Sequence, residues 1–142
     1  MKSRKGFTLI ELMVVILIVA ILAAILVPIM RGRIDAAKWS EGKSGAGTIS
    51  VALRAYCVEQ GQDVTAAPTL ADLNFQVADL AGKYFATGNY SITVGGGGTL
   101  YDESSGAFDY YITVSRPASI SSGGPWYLMS DGTWTDTNPA GP

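Results

Sequence analysis

The sequence predicts an α+β fold. The first half of a long amino-terminal helix spans a membrane, and its second half packs on a small antiparallel β-meander. Three observations predict this arrangement. Nineteen consecutive residues, 12–30, carry no charge. An apolar stripe at helical spacing follows over residues 46–56, and alternating segments with a hairpin signal follow from residue 90 onward.

The uncharged run is long enough to cross a bilayer. At 1.5 Å per residue its helix covers roughly 28 Å, about the thickness of the hydrocarbon core. The apolar core of a cleaved secretory signal is shorter and ends in a small-x-small site, which the stretch LVPIMRGR lacks. Lys2, Arg4 and Lys5 precede the run, which favours a cytoplasmic amino terminus and export of everything after Met30.

Composition excludes several classes of function. Without residues 1–6 the chain has seven basic and twelve acidic residues, a net charge of −5, which argues against nucleic-acid binding through bulk charge. The absence of histidine excludes a histidine-based triad, general base or metal site. The single cysteine, Cys57, cannot form an internal disulfide and is predicted to be a small buried core residue.

Glu11 is the one charged residue inside the apolar segment that follows Lys5. Ionisable residues in such segments usually have a partner. The surrounding stretch, KGFTLIEL, combines a basic leader with Gly6, Phe7, Thr8 and Glu11. It resembles the cleavage and methylation motif of type IV prepilins and type II secretion pseudopilins, closely to about residue 30 and more loosely to about residue 61.

The resemblance implies cleavage between Gly6 and Phe7 by a prepilin peptidase and N-methylation of Phe7. It also implies assembly through Phe7, Thr8 and Glu11. Cleavage creates an amine on Phe7, one helical turn from Glu11, which can pair with its own amine or a neighbour's. We therefore divide the chain into a leader (1–6), a transmembrane and assembly helix (7–30), an amphipathic continuation (31–61) and a globular pilin-like domain with the β-meander (62–142).

Pro28 lies within the apolar run. A proline there either ends the helix at the membrane exit or kinks it, and the kink is the favoured interpretation because the family pattern tolerates this proline. After it, Arg31 with Asp35 and Lys38 with Glu41 have the spacing of helical ion pairs.

The second half of the helix contains three glycines, at positions 42, 45 and 47, which either end the helix or allow another backbone to approach. Beyond them an apolar stripe predicts packing on a sheet, and Gly61 suits the helix end. The stripe consists of Ala46, Ile49, Leu53 and Tyr56.

The remaining chain supplies the sheet. Leucines and a valine at spacings of 3, 4 and 3 over residues 70–80 predict one or two short helices. NYSITV and AFDYYITVS alternate and predict strands with one buried face. WYLMSDGTWTDT predicts a hairpin with a two-residue turn at Asp131 and Gly132. The run Gly95–Gly98 is interpreted as a surface loop, since no lysine or helix follows it as in a phosphate-binding loop.

Two acidic stretches raise the question of calcium, with Asp102, Asp131 and Asp136 as weak candidate ligands. Their spacing matches no calcium loop, so we expect solvated turns and no metal or other cofactor. Trp126, Tyr127 and Trp134 belong to the predicted hairpin, where packing in the core and across the strands is favoured over a sugar-binding or surface-binding patch.

The sequence thus predicts a structural, non-enzymatic subunit of a helical pilus or pseudopilus. It is anchored in the bacterial inner membrane and then assembled in a periplasmic or cell-surface filament. The expected partners are copies of itself, membrane lipid, the prepilin peptidase, and an inner-membrane assembly platform and motor. Type II secretion is favoured, since many surface pilins carry a disulfide that this chain cannot form. The alternatives are a type IV pilus subunit for adhesion, motility or DNA uptake, and an uncleaved signal-anchored extracytoplasmic binding domain.

Overall fold

The computed structural model describes residues 6–141. One helix, α1 (Leu9–Gln60), is followed by short strands, which confirms the α+β prediction. The chain divides between Ile34 and Asp35 into two compact units. We call described residues 6–34 the amino-terminal unit and residues 35–141 the carboxyl-terminal unit. Positions 1–5 of the proposed leader lie outside the described residues, and the predicted domain boundaries stay predictions.

Helix α1 continues through Pro28 and through all three glycines of residues 42–47. A helix end at either place is therefore wrong, while a kink at Pro28 stays a prediction. Two of the glycines, Gly42 and Gly45, do permit a close approach, but by aromatic side chains and not by backbone. A Cβ added to Gly42 would lie 2.6 Å from the ring of Phe85. The helix ends just before Gly61, whose φ of 60° confirms its predicted place at the helix terminus.

The second half of α1 buries one face. Ala46, Ile49 and Leu53 are fully buried, as predicted, whereas Tyr56 is half-buried. Cys57 is also fully buried, and this burial raises the pKa of its thiol. The buried line is longer than the predicted stripe and consists of Asp35, Trp39, Gly42, Ala46, Ile49, Leu53 and Cys57.

The helices predicted over residues 70–80 are wrong. Two separate turns stand there, with Leu73 and Leu80 buried and Val77 exposed. Asn74 takes a positive φ of 65°, a conformation that ends any helix, and the remaining pieces are too short to nucleate one. A short 3₁₀ turn, Thr87–Asn89, leads into the first strand.

The main sheet is antiparallel, with four strands in the order β1-β4-β5-β6, and a separate hairpin pairs β2 with β3. The strands are β1 (Tyr90–Val94), β2 (Tyr101–Asp102), β3 (Ala107–Phe108), β4 (Tyr110–Val114), β5 (Trp126–Met129) and β6 (Trp134–Thr135). The predicted meander is therefore confirmed, with the β2–β3 hairpin inserted between its first two strands.

Two local predictions in the sheet are wrong. The stretch AFDYYITVS is not one strand, because it divides at Asp109 into β3 and β4, which belong to different sheets. The turn at Asp131 and Gly132 is one residue longer than predicted. Met129 donates its amide to the carbonyl of Thr133, so three residues form the loop, and Gly132 takes the positive φ (87°) that such loops require.

The core of the carboxyl-terminal unit lies between α1 and the sheet. Tyr110, Ile112 and Val114 of β4 are fully buried in one cluster with the helix residues. Tyr111 is buried as well, and its ring packs at 5.9 Å against that of Tyr127 on β5. The central strand β4 is therefore covered on both faces.

Candidate assembly and processing site

The start of α1 brings together two of the residues predicted for assembly. The amide and hydroxyl of Thr8 donate to Glu11 Oε2 at 2.9 and 2.7 Å, and the amide of Glu11 donates to Thr8 Oγ1 at 3.3 Å. Because Leu9 is the first helical residue, Thr8 is the N-cap and this reciprocal pair is a capping box. The Glu11 carboxylate also lies where the helix dipole favours a negative charge.

The capping box was not foreseen, although a threonine three residues before a glutamate, ahead of an apolar run, is its sequence signal. All members of the box lie after Gly6, so cleavage there leaves it intact. One carboxylate oxygen, Oε2, accepts both bonds from Thr8. The second oxygen, Oε1, has no hydrogen-bond donor among the described residues. Glu11 can therefore hold its own helix end and receive another cation at once.

The amino-terminal unit exposes every one of its described residues. Its helix is long and apolar enough to cross a membrane. Phe7, the predicted new amino terminus, is 87% exposed, and Leu9 is 76% exposed. Gly6 is exposed beside it, and no atom of the described residues lies within 4 Å of a Cβ added there. Both residues of the predicted cleavage point are thus exposed, and the cleavage itself stays a prediction.

Helix α1 is attached to the sheet side of the carboxyl-terminal unit by a buried carboxylate. Asp35 Oδ2 accepts bonds from the amides and hydroxyls of Ser121 and Ser122, at 2.6 to 3.1 Å. These bonds, the Ser121 hydroxyl above all, lower the pKa of Asp35 from 3.8 to about 2. Trp39 adds a bond from its indole nitrogen to the carbonyl of Ser122, at 3.0 Å. We call this group the Asp35 clasp.

The predicted ion pairs in this part of the helix are wrong. Among the described residues the ion pair that forms joins Lys38 to Asp35, at 3.4 Å. Glu41 instead accepts the amides of Tyr84 and Phe85, both at 2.8 Å. The spacing of residues along a helix cannot show that a carboxylate will bind the backbone of a loop distant in sequence. These contacts therefore had no signal in the sequence.

Basic side chains of α1 also bind the sheet. Lys43 Nζ lies 3.6 Å from the ring centre of Trp126 and 5.0 Å from that of Trp134. Arg54 donates to the hydroxyl of Tyr110 at 3.1 Å and to the carbonyl of Ser130. The tryptophans therefore pack on the helix, as the favoured interpretation holds, and Tyr127 is buried against Tyr111.

The acidic residues weighed as calcium ligands bind their own turns. Asp102 accepts the hydroxyls of Ser104 and Ser105, both at 2.7 Å, and these bonds lower its pKa to about 2. Asp131 accepts the hydroxyl of Thr133 at 2.7 Å, which lowers its pKa. Within residues 6–141 no three histidine, cysteine, aspartate or glutamate side chains gather as a metal site, and Asp136 joins no such group.

Comparisons with known proteins find a family model at the amino terminus and relatives of two kinds. A family model, the prokaryotic N-terminal methylation motif, matches residues 1–27. Type II secretion system core protein G of Pseudomonas aeruginosa is 46% identical over 55 residues, 39% of this chain and 39% of that protein. A fimbrial protein of Pseudomonas aeruginosa is 32% identical over 77 residues, 54% of this chain and 49% of that protein. The match thus covers less than half the length of either relative.

No solved structure matches the chain at a significant level. The relatives are named as a secretion-system core protein and as fimbrial proteins, and not as enzymes. The matched motif and both kinds of relative confirm the resemblance to the superfamily of type IV pilins and type II secretion pseudopilins.

Proposed function

We propose that this chain is a structural, non-catalytic subunit of a helical filament, held in the membrane before assembly, and that the filament serves type II protein secretion. The observation that carries the filament part is the amino-terminal unit, whose described residues are all exposed and mostly apolar. A surface of that kind needs lipid or other apolar helices around it. Copies of the same helix satisfy this need in a filament.

Glu11 gives the assembly its register. Cleavage after Gly6 creates a positive amine on Phe7, and Glu11 Oε1 remains available beside the capping bonds. Moving the helix from lipid into a helix bundle gains little hydrophobic energy, because both surroundings are apolar. The pairing of one copy's amine with the next copy's Glu11 therefore supplies specificity, since unpaired charges in such surroundings are costly.

Processing is tested by mass spectrometry of the native subunit. We expect a chain that begins with N-methylated Phe7, cut by a prepilin peptidase. A native chain that still carries residues 1–6 would contradict the filament proposal and favour an uncleaved signal-anchored binding domain.

Assembly is tested with Glu11→Leu, compared with Thr8→Val and Glu103→Leu. Glu11→Leu should still insert and be cleaved, since it removes a charge from an apolar segment, but filament yield should fall sharply. Thr8→Val weakens the helix cap and keeps the Glu11 carboxylate. It therefore separates the loss of capping from the loss of the pairing between Glu11 and the neighbour's amine. Glu103→Leu removes an exposed carboxylate in a turn and controls for charge. Normal filament yield from Glu11→Leu would show that the pairing is dispensable.

Two observations support secretion in particular. The single cysteine is buried in the core, so the chain lacks the disulfide of many surface pilins. The 46% identical relative is a type II secretion core protein. The second candidate, a type IV pilus subunit for adhesion, motility or DNA uptake, is favoured by the fimbrial relatives, whose match covers more of this chain. Deleting the gene in its host distinguishes the two candidates. Loss of a secretion subunit should stop the export of secreted proteins, whereas loss of a pilus subunit should remove surface filaments.

A further inference from the structure

Two arginines directly follow the apolar run of α1. Arg31 and Arg33 are both exposed, and the ion pair among the described residues joins Lys38 to Asp35 and involves neither. The basic side chains of the described carboxyl-terminal unit differ, because each has a partner. Lys38 pairs with Asp35, Lys43 and Lys83 lie over aromatic rings, and Arg54 and Arg116 donate to backbone carbonyls.

The position of Arg31 along the helix matches the thickness of a membrane. From Glu11 to Arg31 the helix rises about 30 Å over twenty residues, the thickness of a bilayer's hydrocarbon core. When Glu11 lies at one headgroup layer, Arg31 therefore reaches the opposite one. Arg33 lies about 3 Å further along the axis, still within the headgroup region.

The two side chains leave the helix on nearly opposite sides. Residues two apart on an α-helix are separated by about 200°. At Gly32, between them, an added Cβ would have no atom of residues 6–141 within 4 Å, so the helix surface there is open. A protein partner that covers one side of the helix would meet one arginine only, whereas a layer of lipid headgroups surrounds the helix and meets both.

The chain beyond this point has the wrong charge for an anionic membrane. From residue 35 onward it contains five basic and eleven acidic residues, a net charge of −6. Anionic headgroups repel such a segment, and the basic side chains that could offset this repulsion have partners within the carboxyl-terminal unit. Arg31 and Arg33 are the exposed positive charges between the apolar run and this acidic region.

We propose that Arg31 and Arg33 form a two-sided collar that binds the phosphates of anionic lipid headgroups at the carboxyl-terminal end of the span. The guanidinium group suits this role, because its planar fork binds phosphate through two parallel hydrogen bonds. The collar fixes the depth of the subunit before assembly. The inference rests on the proposed function, since it requires a membrane-held subunit.

The test is titration of the full-length chain in detergent with phosphatidylglycerol, followed by native mass spectrometry, with phosphatidylcholine as the uncharged comparison lipid. Arg31→Gln and Arg33→Gln should each weaken phosphatidylglycerol binding about fivefold, equivalent to about 1 kcal/mol. The double variant should combine both effects, because the two side chains act on different sides. Lys83→Gln removes one exposed charge elsewhere and should change the affinity less than twofold. Lys2, Arg4 and Lys5 are present in every variant, so their contribution cancels.

Unchanged phosphatidylglycerol binding in the double variant would overturn the collar and leave the proposed function intact. So would an equal loss in Lys83→Gln, which would indicate bulk charge. Normal lipid binding combined with lost filaments would also overturn it, and would assign the arginines to contacts between copies. A full-length chain that separates from membranes on fractionation would overturn the proposed function and the collar together.

Discussion

The two halves of α1 have the same backbone and opposite surfaces. Residues 9–34 are exposed on every side, although most are apolar, whereas residues 35–60 bury one line of side chains and leave the others half-buried or exposed. An apolar surface around the whole circumference cannot be covered by one small sheet, so it requires surroundings from outside the chain. A single buried line of side chains can be covered from one side, and the sheet of the same chain covers it. The distribution of apolar residues around the helix therefore decides whether it packs against its own chain or needs other molecules.

Polar residues differ in the same way between the two halves. In the first half, Glu11 binds Thr8, three positions away. In the second half, Asp35 binds Ser121 and Ser122, up to 87 positions away, and Glu41 binds Phe85, 44 positions away. The first half is organised locally and keeps the Glu11 carboxylate available for another molecule. The second half instead uses Asp35 and Glu41 to fix distant loops of the carboxyl-terminal unit to the helix.

The largest expected effect comes from separating the two halves of α1. A chain that begins at Arg31 keeps the buried line of α1 and the whole sheet, and it loses the apolar run. We expect a soluble folded monomer with a single cooperative thermal transition. Reductant should leave this transition unchanged, because Cys57 is a free thiol. Aggregation or a non-cooperative melt, measured by ultracentrifugation and circular dichroism, would show that the second half also needs partners.

Within that shortened chain, a buried and an exposed helix position should respond differently. Leu53 is fully buried and Val51 is 70% exposed, two residues apart on the same helix. Leu53→Ala should lower the free energy of unfolding by about 2–5 kcal/mol, since it leaves a cavity in the core. Val51→Ala should change it by less than about 0.5 kcal/mol. Urea denaturation measures both, and similar losses would mean that α1 does not pack on the sheet through this line.

Alanine should have opposite effects on stability at two of the helix glycines. At Gly42 an added Cβ would lie 2.6 Å from the ring of buried Phe85, whereas at Gly47 it would meet nothing within 4 Å. Gly47→Ala should stabilise by about 1 kcal/mol through helix propensity. Gly42→Ala gains the same propensity but should be net destabilising, since overpacking costs about 1–3 kcal/mol. Stabilisation by both changes, measured by urea denaturation, would contradict the close packing of Phe85.

Periodicity explains what the sequence could predict. The apolar run, the buried stripe of Ala46, Ile49 and Leu53, and strands β1 and β4 all follow from patterns within a few residues. The capping box of Thr8 and Glu11 also has a local signal, so it was within reach. These features are local because helix and strand periods alone decide which side chains share a face.

The features that could not be predicted depend on distant contacts. The turns of residues 70–80 carry helical spacing, but Asn74 adopts a positive φ and the leucines reach the core from turns. Asp35 looks like an exposed helix residue until Ser121 and Ser122 are placed beside it. The phenyl ring over Gly42 comes from position 85. No spacing rule within a helix reports a partner that the fold brings from another segment.

The Asp35 clasp should make part of the stability depend on pH. Its pKa is lowered from 3.8 to about 2, so the folded state favours the charged form. The resulting stability is fully present above pH 3.8 and is lost as the pH falls towards 2. Asp35→Asn keeps one acceptor oxygen, so we expect a moderate loss at pH 7 and a shallower fall in melting temperature between pH 4 and 2. Asp136→Asn, at an exposed position, serves as the control. It should change neither the stability at pH 7 nor the fall in melting temperature between pH 4 and 2. An acid profile of Asp35→Asn identical to that of the unchanged chain would show that the clasp does not form in solution.

The smallest expected effect is that of calcium, for which we predict none. A bound ion would stabilise the folded state by mass action, so a chelator would lower the melting temperature and added calcium would restore it. Calcium requires six to eight oxygen ligands. Asp102 and Asp131 instead accept hydroxyl and amide hydrogen bonds from their own turns, which already satisfy their charge. The melting temperature of the shortened chain should therefore be the same with chelator and with millimolar calcium.

A calcium-dependent rise in melting temperature that Asp102→Asn or Asp131→Asn abolishes would overturn this expectation. It would also add weight to secretion over a surface pilus, since the resemblance to pseudopilins implies calcium binding in the carboxyl-terminal region of some members.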